Sequence, residues 1–346
     1  MSAALLLRSL VRAASSRRSH PHANALALCT GGSVGLCRAH STRQTGGFAN
    51  LGDALSAVIV SALSGRAVHD VPFAWPVTKL VAVGSIGHAI KYGTAVVWGA
   101  GVSTERGLLQ RNARFTRYDV RAIRGPISAE HYKRVGISVP DVYGDPVWLL
   151  PSILSEPVEK RFELGVIPHI QDVDGTQPHS PPRQESLRWI VDEADAKEIA
   201  VINTWHESTW EGLLAKVGLI RSCKRVVSQS FHGVVIAEAY GIPVLHFSSA
   251  HGMRNGPRRI DLDQPCDTDP RVWEFYAGGR RSEYYMYVQR RKERTDWEKV
   301  IRAIDRYWQP FEFDAAPLVD AFPLPLAFDP LTERARSFAV LERLRF

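Results

Sequence analysis

Cysteine is scarce in this chain: the four present, Cys29, Cys37, Cys223 and Cys266, include no CxxC and no paired spacing. That argues against a disulfide-stapled scaffold and against a thiolate zinc site. A surplus of positive charge is also missing from the body of the chain. Although the formal net charge is +7, six of the 43 Lys and Arg fall in residues 1–45, leaving 37 basic residues against 36 acidic ones. A basic groove for nucleic acid is therefore not indicated, while a local anion site remains compatible. Residues 1–45 contain no Lys, Asp or Glu, and their apolar runs, such as Ala3 to Leu7, are too short to span a bilayer or to act as a secretory h-region. Arginine and serine without acid is the composition of an organellar transit peptide, and also what a misassigned upstream start codon would give. Residues 1–45 are expected to be a disordered extension.

What remains is ordinary for a globular protein, with 45% hydrophobic and 23% charged residues, and 346 residues suit two domains. The clearest unit is Lys224 to Ser249. Val226 and Val227 end a buried strand, Ser228-Gln229-Ser230 supplies turn and N-cap chemistry, and Phe231, Val234, Val235, Ala239 and Tyr240 recur at helical spacing. Gly241 then ends the helix and Ile242 to Phe247 reads as the next strand. This places His232 in the first turn of a helix at the carboxyl end of a parallel strand, where open α/β sheets bind ligands.

Elsewhere the same alternation recurs. A helix begins near Asp53, strands are predicted at Lys79 to Val83, Ala95 to Trp98 and Asp119 to Ile123, and a helix runs from about Ile127 to Val135. The loops Gly84-Ser85-Ile86-Gly87 and Gly99-Ala100-Gly101 either offer backbone N–H groups to an anionic or sugar ligand or simply make turns. Pro151 to Glu159 reads as a linker. Beyond it come a strand at Phe162 to Ile167 ending at His169, a helix near Glu185 to Ala194, a strand at Glu198 to Asn203 and a helix near Trp210 to Val217. Gly256 to Arg259 and Gly278 to Arg281 read as loops, and a helix covers Thr295 to Tyr307. Cys29 to Thr45, interrupted by Gly31, Gly32 and Gly35, makes a poor strand. The expected organisation is two Rossmann-like domains, 46–155 and 156–325, with 326–346 as a C-terminal tail.

Several segments together resemble the polysaccharide pyruvyl transferase family: NLGDALS from Asn50, GSIGHA from Gly84, VVWGAGV from Val96, RAIRGPIS from Arg121, VYGDPVWLLP from Val142, LGVIPH from Leu164, SQSFHGVVIAEAYGIP from Ser228 and LVDAFP from Leu318. The resemblance covers about residues 46–323. It implies an α/β, GT-B-like fold in which two Rossmann-like domains with parallel sheets face across a cleft. It further implies transfer of the pyruvyl group of phosphoenolpyruvate to two sugar hydroxyls as a ketal, with no metal and no cofactor beyond that donor. The implied acceptor is a saccharide or lipid-linked oligosaccharide of exopolysaccharide or cell-envelope biosynthesis. The implied place is the cytoplasm, at the inner face of a membrane with at most peripheral association, while the N-terminal extension leaves organellar targeting open.

Phosphoenolpyruvate carries a carboxylate and a phosphate, so its site calls for fixed cations and N–H donors. Arg124 is the candidate clamp and His232 the candidate acid, base or phosphate ligand. His169 is either a donor to phosphate or structural. Asn50 belongs to the NLGD turn; Asp53 orients an acceptor hydroxyl or caps its helix; Asp145 pairs with Arg124 or holds its own turn. Gly84 and Ser85 would line the acceptor side. Ser230 stands where some members carry arginine, which leaves Arg254, Arg258 and Arg259 as replacement cations by nearness in sequence. Trp205, Trp210, Trp273, Tyr276, Tyr284 and Tyr285 either stack on sugar rings or fill the core. The competing readings are a nucleotide-sugar glycosyltransferase of GT-B type and a non-catalytic carbohydrate-binding relative.

Overall fold

The structure is a computed structural model that describes residues 28–30, 32–39, 46–103, 109, 115–248, 253–335 and 339–346. The first half contributes strands β1 (Cys29–Thr30), β2 (Ser33–Leu36), β3 (Phe48–Asn50), β4 (Val68–Asp70), β5 (Lys79–Val81), β6 (Gly93–Trp98) and β7 (Thr116–Ala122). Its helices are α1 (Leu51–Ser64), α2 (Pro126–Arg134) and α3 (Leu150–Ile153). The second half contributes β8 (Leu164–Ile167), β9 (Ile199–Val201), β10 (Trp205–Glu207), β11 (Val226–Ser228), β12 (Val244–Ser248), β13 (Gly256–Asp261) and β14 (Glu283–Val288). Its helices are α4 (Trp210–Arg221), α5 (Phe231–Ala239), α6 (Pro270–Gly278), α7 (Trp297–Tyr307) and α8 (Ala316–Asp320).

The protein is a mixed α/β structure with two six-stranded sheets. In the first, β2, β5, β6 and β7 lie side by side in parallel, with β4 parallel and β1 antiparallel to β2. The second has the order β13-β14-β12-β11-β8-β9 and is parallel except for β13. Successive residues point to opposite faces, so each strand serves two cores. Val96 and Trp98 of β6 face one cluster with Leu80, while Ala95 and Val97 face another with Tyr132 of α2. Likewise Val226 faces inward with α5, and Val227 faces outward with Phe247 and Trp297. The inward faces of both sheets and helices α1, α4, α5 and α6 belong to one continuous apolar cluster.

Helix α1 sits inside that cluster, and every residue of it except Asp53 is buried. Its sequence fits the place, being apolar or small all round rather than striped. A two-stranded antiparallel sheet, β3 with β10, ties the halves together just before it, pairing Asn50 with Trp205. The segment read as a linker opens with α3, whose Leu150 and Ile153 are buried; exposure begins at Ser155.

Several expectations need correction. Much of residues 1–45 lies outside the described residues, but Cys29–Thr30 and Ser33–Leu36 form β1 and β2, with Val34, Leu36 and Cys37 wholly buried. Ordered structure therefore begins before Gly46, and glycines disguised a short strand of otherwise apolar alternation. The C-terminal tail packs onto the body in its last described residues, since Leu341, Leu344 and Phe346 are buried and the Phe346 ring meets His206 at 5.7 Å. The helix expected near Glu185 to Ala194 is only a 3-10 turn, Leu187–Trp189. Tertiary bonds from Arg188 and Trp189 to Asp172 override the local propensity there. Gly256 to Arg259 opens an edge strand rather than a loop, for edge strands tolerate Pro257 and exposed arginine. Among the described residues no helix is long and apolar enough to cross a membrane.

If β2 is a load on the first sheet rather than an extension, Leu36→Ala should lower unfolding free energy by about 2–5 kcal/mol in urea titration. Stability equal to that of the unsubstituted chain would show that this segment is not docked.

Candidate active site

Arg124 follows β7 and is 1% exposed. Its Nε donates to Glu274 Oε1 at 2.6 Å and its Nη1 to Ser85 Oγ at 2.7 Å, while its guanidinium lies 5.1 Å from the centre of the Phe231 ring. Glu274, from α6 of the second half, also accepts from Ser128 N at 2.8 Å and Ser128 Oγ at 2.9 Å. Two buried charges are thus paired and hydrogen-bonded, the condition under which a dry ion pair is tolerated. The expected clamp is a closed one, committed to protein partners.

His232 stands in the first turn of α5, as its spacing in the sequence implied. Its ring packs against the backbone of α1 at Gly52, where a Cβ would overlap the imidazole. Nε2 lies 3.9 Å from Asp145 Oδ2, beyond hydrogen-bond distance, and neither atom has a partner among the described residues. Burial, with Arg124 and then Arg271 nearby, pushes the His232 pKa down to about 3. Asp145 behaves oppositely: burial raises its pKa to about 6 against the opposing pull of the Val147 N–H and Arg124. Near neutral pH the site holds a neutral imidazole facing a carboxylate. Asp145 Oδ1 also accepts from Val147 N at 2.9 Å, so it holds its own turn and does not bond Arg124 directly.

The remaining candidates divide. Asn50 is the N-cap of α1, accepting from Gly52 N at 3.2 Å and donating to Thr204 Oγ1 at 2.8 Å, so Asp53 sits in the first turn rather than capping. Ser85 touches Arg124. Gly84 has φ 102° and accepts from Gly101 N at 3.0 Å, and Gly87 N donates to Gly101 O at 3.0 Å. These loops bond each other, which favours turn-making over an N–H cradle at those donors. Ser230 precedes α5 with no side-chain cap bond. His169 lies at the carboxyl end of β8, where its Nδ1 accepts from Gln171 N and its backbone N–H donates to Gln229.

Arg258 bonds Asp267 and Arg259 bonds Glu283, both on the edge strand, and Arg254 is exposed. Arg271 of α6 adds to the positive field that lowers the His232 pKa, after burial and Arg124. At the carboxyl edge of the second sheet, Arg188 donates to Asp172 at 2.6 Å and Gln229 at 3.0 Å. His246 of β12 has its Nδ1 buried and without a partner among the described residues. Sequence reading missed Glu274, Arg271, Arg188 and His246, since each lies in a different element with no local motif. Of the aromatics, Trp210, Tyr276 and Tyr284 are core; Trp205, Trp273 and Tyr285 are partly exposed, and Tyr285 stacks on Tyr307 at 4.6 Å. Among the described residues no group of three or more His, Cys, Asp or Glu could hold a metal ion.

Residues 50–251 match the family model described as Polysaccharide pyruvyl transferase. No curated protein matches, and no solved structure does.

Breaking the buried pair by Glu274→Ala should cost about 3–5 kcal/mol in chemical unfolding, and less when Arg124→Met accompanies it; a loss below about 1 kcal/mol contradicts the burial described. The His232 and Asp145 shifts carry opposite pH signs. Between about pH 6 and 4 the unfolded chain holds a proton on His232 that the folded chain lacks, so stability falls with acid; Asp145 holds its proton only when folded, so it opposes that fall. Unfolding titrations across this window should therefore give a shallower acid loss for His232→Gln and a steeper one for Asp145→Asn. Each change in slope should be about 1.4 kcal/mol per pH unit, and slopes that move together would refute the assignment.

Proposed function

Because the chain belongs to the polysaccharide pyruvyl transferase family, we propose that it moves the pyruvyl group of phosphoenolpyruvate onto two hydroxyls of a saccharide as a cyclic ketal. The enol methylene carbon takes up a proton, the first hydroxyl oxygen bonds the former enol carbon, and the second displaces phosphate as the carbon–oxygen bond to it breaks. Of the two hydroxyl protons, one is balanced by the new methyl group and the other leaves on phosphate. No electrons are exchanged with a cofactor.

The observation that carries this reading is the placing of His232 against Asp145 and Arg124 in one buried site. A neutral imidazole can accept a hydroxyl proton, and the imidazolium so formed gains the Asp145 carboxylate as its counter-charge. Burial and the positive field of Arg124 disfavour holding that proton, which suits a group that passes it on. Arg124 orients Phe231 and Ser85 around the site, and His169 lies at the carboxyl end of β8. The acceptor is a polysaccharide or a lipid-linked oligosaccharide, and the meeting of groups that follow the carboxyl ends of both sheets supports a GT-B-like organisation. Exopolysaccharide or cell-envelope synthesis in the cytoplasm at a membrane face accords with such an acceptor.

Phosphate release from phosphoenolpyruvate should depend on a saccharide acceptor, with pyruvylated product detected by mass. His232→Ala should lower kcat about 10²–10⁴-fold, and Gly52→Ala should lower it too by displacing the ring. Absence of phosphate release with every acceptor tried would sink the proposal, and protection by a nucleoside diphosphate alone would favour a glycosyltransferase. Sugar binding with unaltered behaviour in His232→Ala would point to a binding protein.

A further inference from the structure

We infer that the amino-terminal edge of the first sheet is a docking surface for an anionic lipid bilayer, with Trp75, Val77, Tyr92 and Phe115 entering the interface and Lys91 and Arg117 meeting the headgroups. These four are the most exposed large apolar side chains among the described residues, at 57%, 44%, 42% and 47%, and the next, Leu326, is 39% exposed. Exposed apolar residues scattered singly need no explanation, whereas a contiguous group marks a contact surface. Topology makes this group contiguous. Trp75 and Val77 precede β5, Tyr92 precedes β6 and Phe115 precedes β7; these strands are parallel neighbours, so their amino ends lie along one edge. Ser85 and Arg124 follow the carboxyl ends of β5 and β7, so the contact leaves the candidate active site at the far end of the same strands.

Hydrogen bonds stitch the three segments into one platform. Lys91 N donates to Phe73 O at 3.3 Å and Gly93 N to Phe115 O at 2.8 Å, while Thr116 Oγ1 donates to Lys91 O at 2.5 Å. The Tyr92 and Phe115 rings meet edge to face, with centroids 5.9 Å apart. Gly93 packs on the segment carrying Val77, whose carbonyl oxygen would lie 2.3 Å from a Cβ at that position. Lys79 is wholly buried, and its Nζ reaches the carbonyl oxygens of Pro72, Phe73, Trp75 and Tyr92 at 3.3, 3.2, 2.5 and 3.0 Å. A buried ammonium requires such acceptors, so the loop bearing Trp75 is held in place with its apolar side chains outward.

Charge selects the occupant. Residues 71–79, 90–94 and 115–118 contain no Asp or Glu, and Lys91 and Arg117 are exposed. A second copy docked face to face would set these cations against themselves, which is repulsive. An anionic bilayer offers phosphates to the cations, and its interface suits Trp and Tyr, whose apolar ring and polar tip divide between acyl boundary and headgroups. The inference stands on exposure, bonding and charge, and does not rest on the pyruvyl-transfer reading.

The test is flotation of the full chain with vesicles of phosphatidylcholine alone or mixed with phosphatidylglycerol. Residues 1–45 carry six arginines that would themselves attract anionic lipid, so the readout is the change that patch substitutions produce in otherwise identical full chains. The unsubstituted chain should bind the mixed vesicles, and Trp75→Ser should lower its partition coefficient about tenfold or more. Lys91→Gln combined with Arg117→Gln should weaken binding to the mixed vesicles several-fold and leave the phosphatidylcholine arm unchanged. Melting temperatures report whether the variants fold; if Trp75→Ser does not, Val77→Ser carries the test and should weaken binding several-fold. A partition coefficient within about twofold of the unsubstituted chain in the folded apolar variant overturns the inference. Absence of vesicle binding overturns it too, and concentration-dependent self-association that the same variant abolishes would then assign the surface to a protein contact. None of these readouts uses turnover, so this inference and the pyruvyl-transfer reading can each fail alone.

Discussion

Arg124 and Glu274 meet at 2.6 Å in a region closed to solvent, one from each half of the chain, and the arrangement of the site depends on that pair. Neither charge would be stable there alone, because desolvation costs several kcal/mol per ion. The pair is tolerated because further bonds support it: Ser128 supplies an N–H and a hydroxyl to Glu274, and Ser85 accepts from Arg124. Four segments that are far apart in sequence are fixed by these bonds. The loop after β5, the end of β7, the start of α2 and the middle of α6 cannot shift independently without exposing one charge to an apolar surrounding.

Three glycines make room for these groups, and their role is space rather than backbone freedom. A Cβ at Gly52 would overlap His232, one at Gly101 would overlap the Arg124 guanidinium, and one at Gly125 would overlap the backbone of Glu274. Gly52 lies in a helix and Gly125 is extended, with φ −175°, so any residue could adopt the conformation of either. What excludes a side chain is the approach of a charged or titrating group. Gly52, Gly101 and Gly125 are thus packing positions beside these groups.

How much of this was legible in the sequence follows from the range of the interactions. Helix α5 and the strands on either side of it were readable because their signals, apolar spacing and a terminal glycine, lie within a few residues. The same local reading put His232 at a helix start and Arg124 after a strand. It failed at β2 and β13, where Gly35 and Pro257 look like breakers and only pairing with a neighbouring strand stabilises the extended chain. It failed also at Glu274, 150 residues from its partner, and at Arg271 and His246. No periodicity marks which residue of an amphipathic helix will face a distant arginine; that is decided by the packing of α6 against α2 and α5. Nearness in sequence pointed to Arg258 and Arg259, which on the edge strand bond Asp267 and Glu283.

One helix therefore carries two duties. Glu274 locks the halves together, and one turn earlier Arg271 is held by Asp269 with part of its side chain open. An apolar contact in place of the Arg124–Glu274 pair would also bury area, but dispersion and burial are non-directional and would leave the rotation of α6 about its axis loosely defined. A guanidinium bonded through its Nε and Nη1 to two different segments fixes that rotation, because each bond has a required direction. Fixing the helix at Glu274 fixes Arg271 as well, since 3 residues along a helix leave both on the same face. The buried pair thus sets where the partly open cation stands relative to His232, so the constraint that joins the halves also positions the charges of the site.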